Sequence, residues 1–130
     1  MRGKNEGDIL SKSILVVDDS NAIRQSVGFI LEQAGYQIVP AVDGADAVPK
    51  LESQSFDLVL TDVNMPNMDG IALTKHIRQS VRNKFVPILM LTTESQADMM
   101  KEGKEAGATG WIVKPFDAEK LLGTVKKLVG

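Results

Sequence analysis

The sequence predicts an α/β fold with a doubly wound parallel sheet of five strands and five helices. Five short apolar runs alternate with five amphipathic stretches, as in sheets whose parallel strands are joined by crossover helices. The strand-like runs are apolar at nearly every position, which indicates burial on both faces. The chain has 130 residues, enough for one domain. We assign residues 13–130 to that domain and treat residues 1–12 as a loose, polar lead-in.

The first half of the domain contains three predicted strands, at residues 13–17, 37–41 and 58–61. Ser20 is a suitable N-cap for a helix that Gly35 ends. The apolar stripe of this helix is Ile23, Val27, Ile30, Leu31 and Ala34. A weaker helix is predicted over residues 45–54. Because Pro49 lies inside it and removes a backbone donor, we expect this helix to start late, kink or be short.

The second half repeats the alternation. A turn-rich loop at residues 64–70 leads, through an Asp69 cap, into a helix at 71–78. A strand is predicted at 87–91, a helix at 96–105 that Gly107 closes, and a strand at 110–113. Asp117 caps the last helix. The buried stripe of that helix is Leu121, Leu122, Val125, Leu128 and Val129.

Composition excludes several classes of function. The absence of cysteine rules out disulfides, thiolate zinc sites and a cysteine nucleophile, and the single histidine, His76, rules out a multi-histidine metal site. Aromatic residues are 5% of the chain and no dense Lys/Arg block occurs, which argues against nucleic-acid binding. No apolar run approaches the roughly 20 residues of a membrane helix, and the polar start is not a secretory signal. We expect a cytoplasmic protein without membrane partners.

Polar residues end four of the predicted strands. Asp18 and Asp19 follow the first strand, Asp62 the third, Thr92 the fourth and Lys114 the fifth. The carboxyl ends of parallel strands share one edge of a sheet, and ligands of such sheets bind at that edge. An Asp-Asp pair by itself is more often a helix-capping turn. Together with the other strand ends, it indicates a functional site.

Three neighbouring carboxylates need counter-charge, of which one lysine supplies a single unit. A hard divalent cation supplies two more, and a ligand set made of oxygen alone favours Mg²⁺, with Mn²⁺ as the alternative. No histidine or cysteine is placed to act as a nucleophile at this edge. A carboxylate can itself take up a phosphoryl group and form an acyl phosphate, so the pattern favours Mg²⁺-assisted phosphoryl transfer.

Four separated motifs carry a family resemblance: VVDDS at 16–20, LTDVNMPNMDG at 60–70, LTTES at 91–95 and GWIVKPF at 110–116. They resemble the receiver domain of two-component response regulators, above all the stand-alone chemotaxis type, and the resemblance covers residues 13–130. It implies a flavodoxin-like strand order, 2-1-3-4-5. It also implies a signalling switch that catalyses its own phosphorylation and dephosphorylation, rather than an enzyme.

The resemblance implies a role for each site residue. Asp62 would accept the phosphoryl group from a phosphohistidine of a sensor kinase. Asp18, Asp19, Asp62 and the backbone carbonyl of Asn64 would hold Mg²⁺, directly or through water. Lys114 would bind a phosphoryl oxygen.

Two further positions would transmit the signal. Thr92 would move to hydrogen-bond the phosphoryl group, and Trp111 stands where the family has a switching Tyr or Phe. The face formed by the fourth helix, fifth strand and fifth helix would then change shape for a target, such as a flagellar motor switch. The family also tends to hold the Lys114-Pro115 pair as a cis peptide.

Three positions would tune the lifetime of the phosphoryl group: Asn64, Thr93 and Glu94. Asn64 and Glu94 match the chemotaxis type. Thr93 departs from the small residue that is usual there, and its branched side chain is expected to slow small-molecule phosphodonors. The indole of Trp111 is larger than the usual aromatic ring, so it either turns inward or serves only as a partly exposed contact for partners.

Alternative functions predict different patterns. A haloacid-dehalogenase-like phosphatase would carry its nucleophile after the first strand, in an Asp-x-Asp arrangement with a cap insertion. A flavodoxin-like FMN binder would have a Ser/Thr/Gly-rich phosphate loop where this chain has Asp18 and Asp19. A receiver that serves only as a phosphate sink, without an output partner, would look the same in sequence. We expect a monomer.

Overall fold

A computed structural model describes residues 12–93 and 98–129. Five parallel strands form one sheet in the order β2-β1-β3-β4-β5, which confirms the predicted fold class and strand order. The strands are β1 Ser13–Val17, β2 Gln37–Ala41, β3 Leu58–Asp62, β4 Ile88–Thr92 and β5 Gly110–Val113. In the described part of the chain, no helix is long and apolar enough to span a bilayer.

Four of the five helices begin after a short polar side chain that caps them, and the fourth helix has no side-chain cap bond within the described residues. They are α1 Asn21–Gln33, α2 Gly44–Ser53, α3 Gly70–Arg78, α4 Met99–Ala106 and α5 Ala118–Val129. Ser20, Asp43, Asp69 and Asp117 each accept a hydrogen bond from the backbone N–H three residues ahead, at 2.8–3.2 Å. These bonds satisfy backbone donors that have no partner inside the helix. The caps predicted at Ser20, Asp69 and Asp117 are therefore confirmed.

The core lies on both faces of the sheet, as the apolar strands predict. Alternate residues of β1 point to opposite sides, so that Ile14 and Val16 pack with α1 and α5 while Leu15 and Val17 pack with α2 and α3. A smaller cluster around Met90 joins α4 to the sheet. Because both faces of the sheet are buried, polar residues collect where the strands begin and end. We call these two borders of the sheet the amino edge and the carboxyl edge.

Several boundaries differ from the predictions. Strand β3 ends one residue later than predicted, and β4 both begins and ends one residue later, so that Asp62 and Thr92 are the last residues of their strands. Helix α2 does not start late: it begins at Gly44 under the Asp43 cap and runs ten residues with Pro49 inside and exposed. The predicted start of the fourth helix at residue 96, and the lead-in up to residue 11, lie outside the described residues.

Candidate functional site

The register of the sheet brings four strand ends together. Val17 pairs with Thr61, which places Asp18 beside Asp62 at the ends of β1 and β3. Asp62 pairs with Leu91 on β4, and Thr92 pairs with Val113 on β5, the residue before Lys114. The predicted convergence of these side chains is therefore built by backbone pairing.

The three carboxylates form one acidic cluster. An oxygen from each of Asp18, Asp19 and Asp62 lies within 4.8 Å of the others. Asp18 and Asp62 are buried, whereas Asp19 is exposed. Like charges at this separation repel by a few kcal/mol at an effective dielectric constant of about 20, so the cluster needs positive charge.

Lys114 supplies only part of that charge. Its Nζ donates to Asp62 Oδ1 at 3.1 Å and lies 3.6 Å from Asp18 Oδ2. Burial raises the pKa of Asp62, and the neighbouring Asp18 charge raises it further, while the Lys114 hydrogen bond opposes both effects. Asp62 thus remains a partly compensated buried carboxylate.

Among the residues that the structure describes, two buried side-chain atoms of the site make no hydrogen bond: Asp18 Oδ2 and Thr92 Oγ1. The other oxygen of Asp18 accepts from the Ser20 N–H at 2.9 Å. A buried polar atom without a partner costs about 1–3 kcal/mol, so such atoms indicate a place prepared for a ligand. A free carboxylate oxygen next to two further carboxylates fits a divalent cation. A free hydroxyl on the neighbouring strand fits an oxyanion.

The loop after β3 is held against Asp62 by its backbone. The Gly70 N–H donates to the Val63 carbonyl at 2.8 Å, and a Cβ at Gly70 would lie 2.2 Å from the Asp62 carbonyl oxygen. Only glycine allows this approach. Asn64, whose carbonyl is the predicted metal ligand, is exposed on this loop.

A second contact ties the same loop to the start of α2. Asn67, with a left-handed φ of 70°, donates from Nδ2 to Asp43 Oδ2 at 2.7 Å, and the Gly44 N–H donates to the Met68 carbonyl at 3.1 Å. Sequence reasoning missed Asp43 and Asn67 as supports of the site. The available signals were an Asp-Gly turn and an asparagine in a tight loop, because asparagine is enriched in the left-handed region.

The remaining predicted residues are Trp111, Thr93, Glu94 and the Lys114-Pro115 pair. Trp111 is half-buried, pairs in register with Met90, and packs in the cluster that joins α4 to the sheet. Thr93 is half-buried and lines a groove of about 440 Å³ beside Lys114 and Phe116. The Lys114-Pro115 peptide is cis, as predicted. Glu94 lies outside the described residues.

Comparison with protein families identifies one match that covers most of the chain. Residues 14–126 match the response regulator receiver domain. The matched region contains all four motifs of the sequence and every member of the acidic cluster.

Curated relatives of similar length are chemotaxis proteins. The chain is 40% identical to the chemotaxis protein CheY of Pseudomonas aeruginosa over 88% of this chain and 94% of that protein. It is 42% identical to CheY-3 of Vibrio cholerae over 92% of this chain and 95% of that protein. Receiver sequences inside larger proteins match too: the V. cholerae sensor kinase/phosphatase CqsS is 40% identical over 88% of this chain, but only 17% of CqsS is covered.

Solved structures similar to this chain include a chemotaxis response regulator and a receiver domain. The V. cholerae chemotaxis response regulator CheY4 superposes with a TM-score of 0.86 at 47% identity, covering 91% of this chain and 98% of CheY4. The receiver domain of the P. aeruginosa sensor histidine kinase PA1611, described with a magnesium ion in its active-site cleft, superposes with a TM-score of 0.86 at 28% identity. That match covers 92% of this chain and 98% of the receiver.

Proposed function

The chain belongs to the response regulator receiver domain family, and we propose that Asp62 accepts a phosphoryl group from a phosphohistidine of a sensor kinase. The observation that carries this proposal is the acidic cluster with a single lysine and a free, buried threonine hydroxyl beside it. The haloacid-dehalogenase-like alternative belongs to another family and is dropped.

Asp62 is the best nucleophile of the three carboxylates. Asp19 is exposed, and Asp18 uses one oxygen to accept from the Ser20 N–H. Asp62 ends the central strand β3, and burial raises its pKa, which makes its oxygen more basic than that of a solvated aspartate. A carboxylate oxygen of Asp62 forms a bond to phosphorus while the P–N bond of the donor breaks. The electron pair of that bond leaves with the imidazole nitrogen.

The acidic cluster is suited to Mg²⁺, and Mn²⁺ has the same ligand preference. Asp18, Asp19, Asp62 and the backbone carbonyl of Asn64 would hold the ion, whose charge would neutralise phosphoryl oxygens. The chain's own contribution is to hold Asp62 in place through β3 and to set Lys114 beside its reacting oxygen. Phosphoryl transfer depends mainly on such positioning and charge stabilisation.

Phosphorylation would act as a switch because it replaces one carboxylate by a group with about two negative charges and strong acceptor oxygens. Lys114 and the unpaired Thr92 hydroxyl would be drawn to that group. Trp111 lies on the strand that neighbours Thr92, so a displacement of Thr92 would alter its packing. The changed face would be that of α4, β5 and α5.

We place this switch in chemotaxis, in the cytoplasm and as a monomer, with a target such as the flagellar motor switch. The support is the similarity to CheY proteins across nearly their whole length. Asn64, Thr93 and Glu94 are proposed to set the phosphoryl lifetime. A pull-down with and without beryllofluoride, a phosphoryl mimic, tests for an output partner, and a chain that captures nothing in either state acts as a phosphate sink.

The phosphorylation step is tested by incubating the protein with acetyl phosphate and Mg²⁺ and measuring the intact mass. We expect one added phosphoryl group in the wild type and none in Asp62→Asn. Asp57→Asn is the matched control, because Asp57 is an exposed aspartate at the opposite end of β3 whose side chain accepts from the Ser13 N–H, away from the acidic cluster. An undiminished gain in Asp62→Asn would move the nucleophile elsewhere.

A further inference from the structure

We infer that residues 79–87, which we call the amino-edge loop, form a docking surface for an acidic segment of a partner protein. The loop joins α3 to β4 and therefore lies at the amino end of the strands. Asp62 and Thr92 lie at the carboxyl end, roughly 16 Å away along a five-residue strand. This surface is separate from the phosphoryl site, and it contacts the C-terminal end of α4 through Arg78.

The loop displays two large apolar side chains to solvent. Val81 is 99% exposed and Phe85 is 88% exposed. Phe29 and Val42, the other exposed large hydrophobic residues in the described ranges, reach 64% and 47%. Single exposed apolar residues are common, so the argument depends on how these two are held and on what surrounds them.

Asn83 holds the middle of the loop from inside. It is 3% exposed, its Oδ1 accepts from the Phe56 N–H at 2.9 Å, and its Nδ2 donates to the Leu51 carbonyl at 2.8 Å and to the Gln54 carbonyl at 3.0 Å. These bonds of Asn83 fix the backbone between Val81 and Phe85, both of which point to solvent.

Arg78 holds the C-terminal part of the loop. Its Nη1 donates to the carbonyls of Lys84 and Val86 at 2.9 and 2.6 Å, and its Nε and Nη2 donate to the Gly107 carbonyl. The display of Val81 and Phe85 therefore comes from a fixed backbone. A partner that binds a preorganised surface loses less entropy in ordering it.

The segment that carries the two apolar side chains is positively charged. Residues 70–93 contain four Lys or Arg and no Asp or Glu. Arg82 and Lys84 are exposed, and the Lys84 Nζ lies 5.7 Å from the centroid of the Phe85 ring. Glu52 is the one acidic residue that lines the adjoining groove. An acidic partner matches this charge, and a basic one would be repelled.

The adjoining groove gives the partner a place for an apolar side chain. It has a volume of about 810 Å³ and lies between the C-terminal ends of α2 and α3, lined in part by Leu51, His76 and Val81. Apolar anchors in pockets, surrounded by charged groups, contribute most of the binding energy at such surfaces. The occupant we infer is therefore an acidic segment that also carries apolar side chains.

The test uses ¹⁵N-labelled full-length protein and two synthetic peptides of 15 residues that share the same Leu and Phe positions. One peptide has Glu and the other has Lys at all remaining positions. We expect the Glu peptide to cause saturable amide shifts in residues 79–87 and in the groove, and the binding to weaken with added salt. We expect the same dissociation constant with and without beryllofluoride, since the loop is remote from Asp62.

The double variant Val81→Ser/Phe85→Ser should weaken binding of the Glu peptide by about tenfold or more. Phe29→Ser is the matched control: it removes another exposed phenyl ring, outside the loop, and should leave binding unchanged. Both variants should take up phosphoryl groups as the wild type does, which checks their folding. Failure of the phosphorylation step in the wild type would leave the peptide result intact, so the two proposals are tested separately.

Several results would overturn the inference. These are the absence of saturable shifts, shifts centred outside the amino-edge loop and its groove, equal binding of the Lys peptide, or an unchanged dissociation constant in the double variant. Binding of the loop to vesicles of anionic phospholipid, without binding of the Glu peptide, would assign the surface to a membrane instead.

Discussion

The two edges of the sheet both bury polar groups, but they treat them in opposite ways. At the amino edge, Asn83 bonds one N–H and two carbonyls, and Arg78 donates to three carbonyls. At the carboxyl edge, Asp18 Oδ2 and Thr92 Oγ1 make no hydrogen bond within the described part of the chain, and Lys114 forms ion pairs with two of the three clustered carboxylates. The polar groups of the amino edge stabilise the fold, whereas those of the carboxyl edge have unpaired atoms that could bind a ligand.

The difference is energetic as well as geometric. A buried polar group with all its hydrogen bonds contributes a free energy of folding that is close to neutral or favourable. An unpaired buried group destabilises the fold by the free energy of its desolvation. Burial lowers the pKa of Arg78, yet the guanidinium stays charged at neutral pH because its carbonyl partners replace water. Burial raises the pKa of Asp62 because the loss of solvation outweighs the hydrogen bonds that Lys114 and the Val63 N–H provide. Removing a polar group should therefore destabilise the amino edge and stabilise the carboxyl edge.

The largest effect is expected for Asn83→Ala. The change leaves the Phe56 N–H and the carbonyls of Leu51 and Gln54 without their partner, which should lower the free energy of unfolding by about 3 kcal/mol. For a domain of this size, the melting temperature should fall by roughly 10 °C. Chemical and thermal unfolding measure both quantities.

The matched control is Asn21→Ala. Asn21 is exposed and makes one bond, with Oδ1 accepting from Arg24 at 3.2 Å, so the cost should stay below about 0.5 kcal/mol. Folded Asn83→Ala should still take up one phosphoryl group, because the change is at the other edge. Equal stability of the two variants would remove the contrast between the edges.

An effect of opposite sign is expected at the carboxyl edge. Asp62→Asn removes a charge that is buried next to Asp18, so the metal-free protein should be stabilised by about 1 kcal/mol at pH 7. Since the pKa of Asp62 is raised in the folded chain, the folded state binds a proton more tightly than the unfolded state. The wild type therefore gains stability relative to the variant as the pH falls through that raised pKa.

The measurement is urea unfolding in the presence of a chelator at neutral and acidic pH. Asp19→Asn, the exposed member of the cluster, should give a smaller gain. Added Mg²⁺ should stabilise the wild type more than Asp62→Asn, by the usual binding linkage. A loss of stability in Asp62→Asn at pH 7 would show that the Lys114 bond outweighs the repulsion.

The carboxyl edge could be predicted from the sequence because its chemistry follows the strand ends. Asp18, Asp62 and Thr92 each come at the end of an apolar run, and parallel pairing brings all such ends together. The caps at Ser20 and Asp69 are equally local, since each involves a residue and the N–H three positions ahead.

The amino edge could not be predicted in the same way. Asn83 bonds partners 27 to 32 residues away, and Arg78 reaches Gly107 over 29 residues. In sequence, both are polar residues at the end of a helix or in a loop, and nothing local distinguishes them from solvated ones. The prediction of a late start for α2 was wrong for a similar reason, because the Gly44 N–H at the start of the helix donates to the Met68 carbonyl in a loop distant in sequence.

The smallest effect is expected for Asn67, whose hydrogen bond with Asp43 holds the loop next to the acidic cluster. Asn67 donates to Asp43 and so fixes the loop that carries Asn64, while its φ of 70° disfavours most side chains.

Asn67→Gly removes the hydrogen bond without backbone strain, and Asn67→Ala removes it with strain. If the bond serves to position the loop for the metal, both variants should bind Mg²⁺ about three- to tenfold more weakly, by analogy with other residues that orient metal ligands. Both variants lose the hydrogen bond, and Asn67→Ala should lose about 1 kcal/mol more stability than Asn67→Gly because of the backbone strain. Calorimetric titration with Mg²⁺ and urea unfolding separate the two effects, and wild-type Mg²⁺ affinity in both variants would show that Asn67 supports the fold alone.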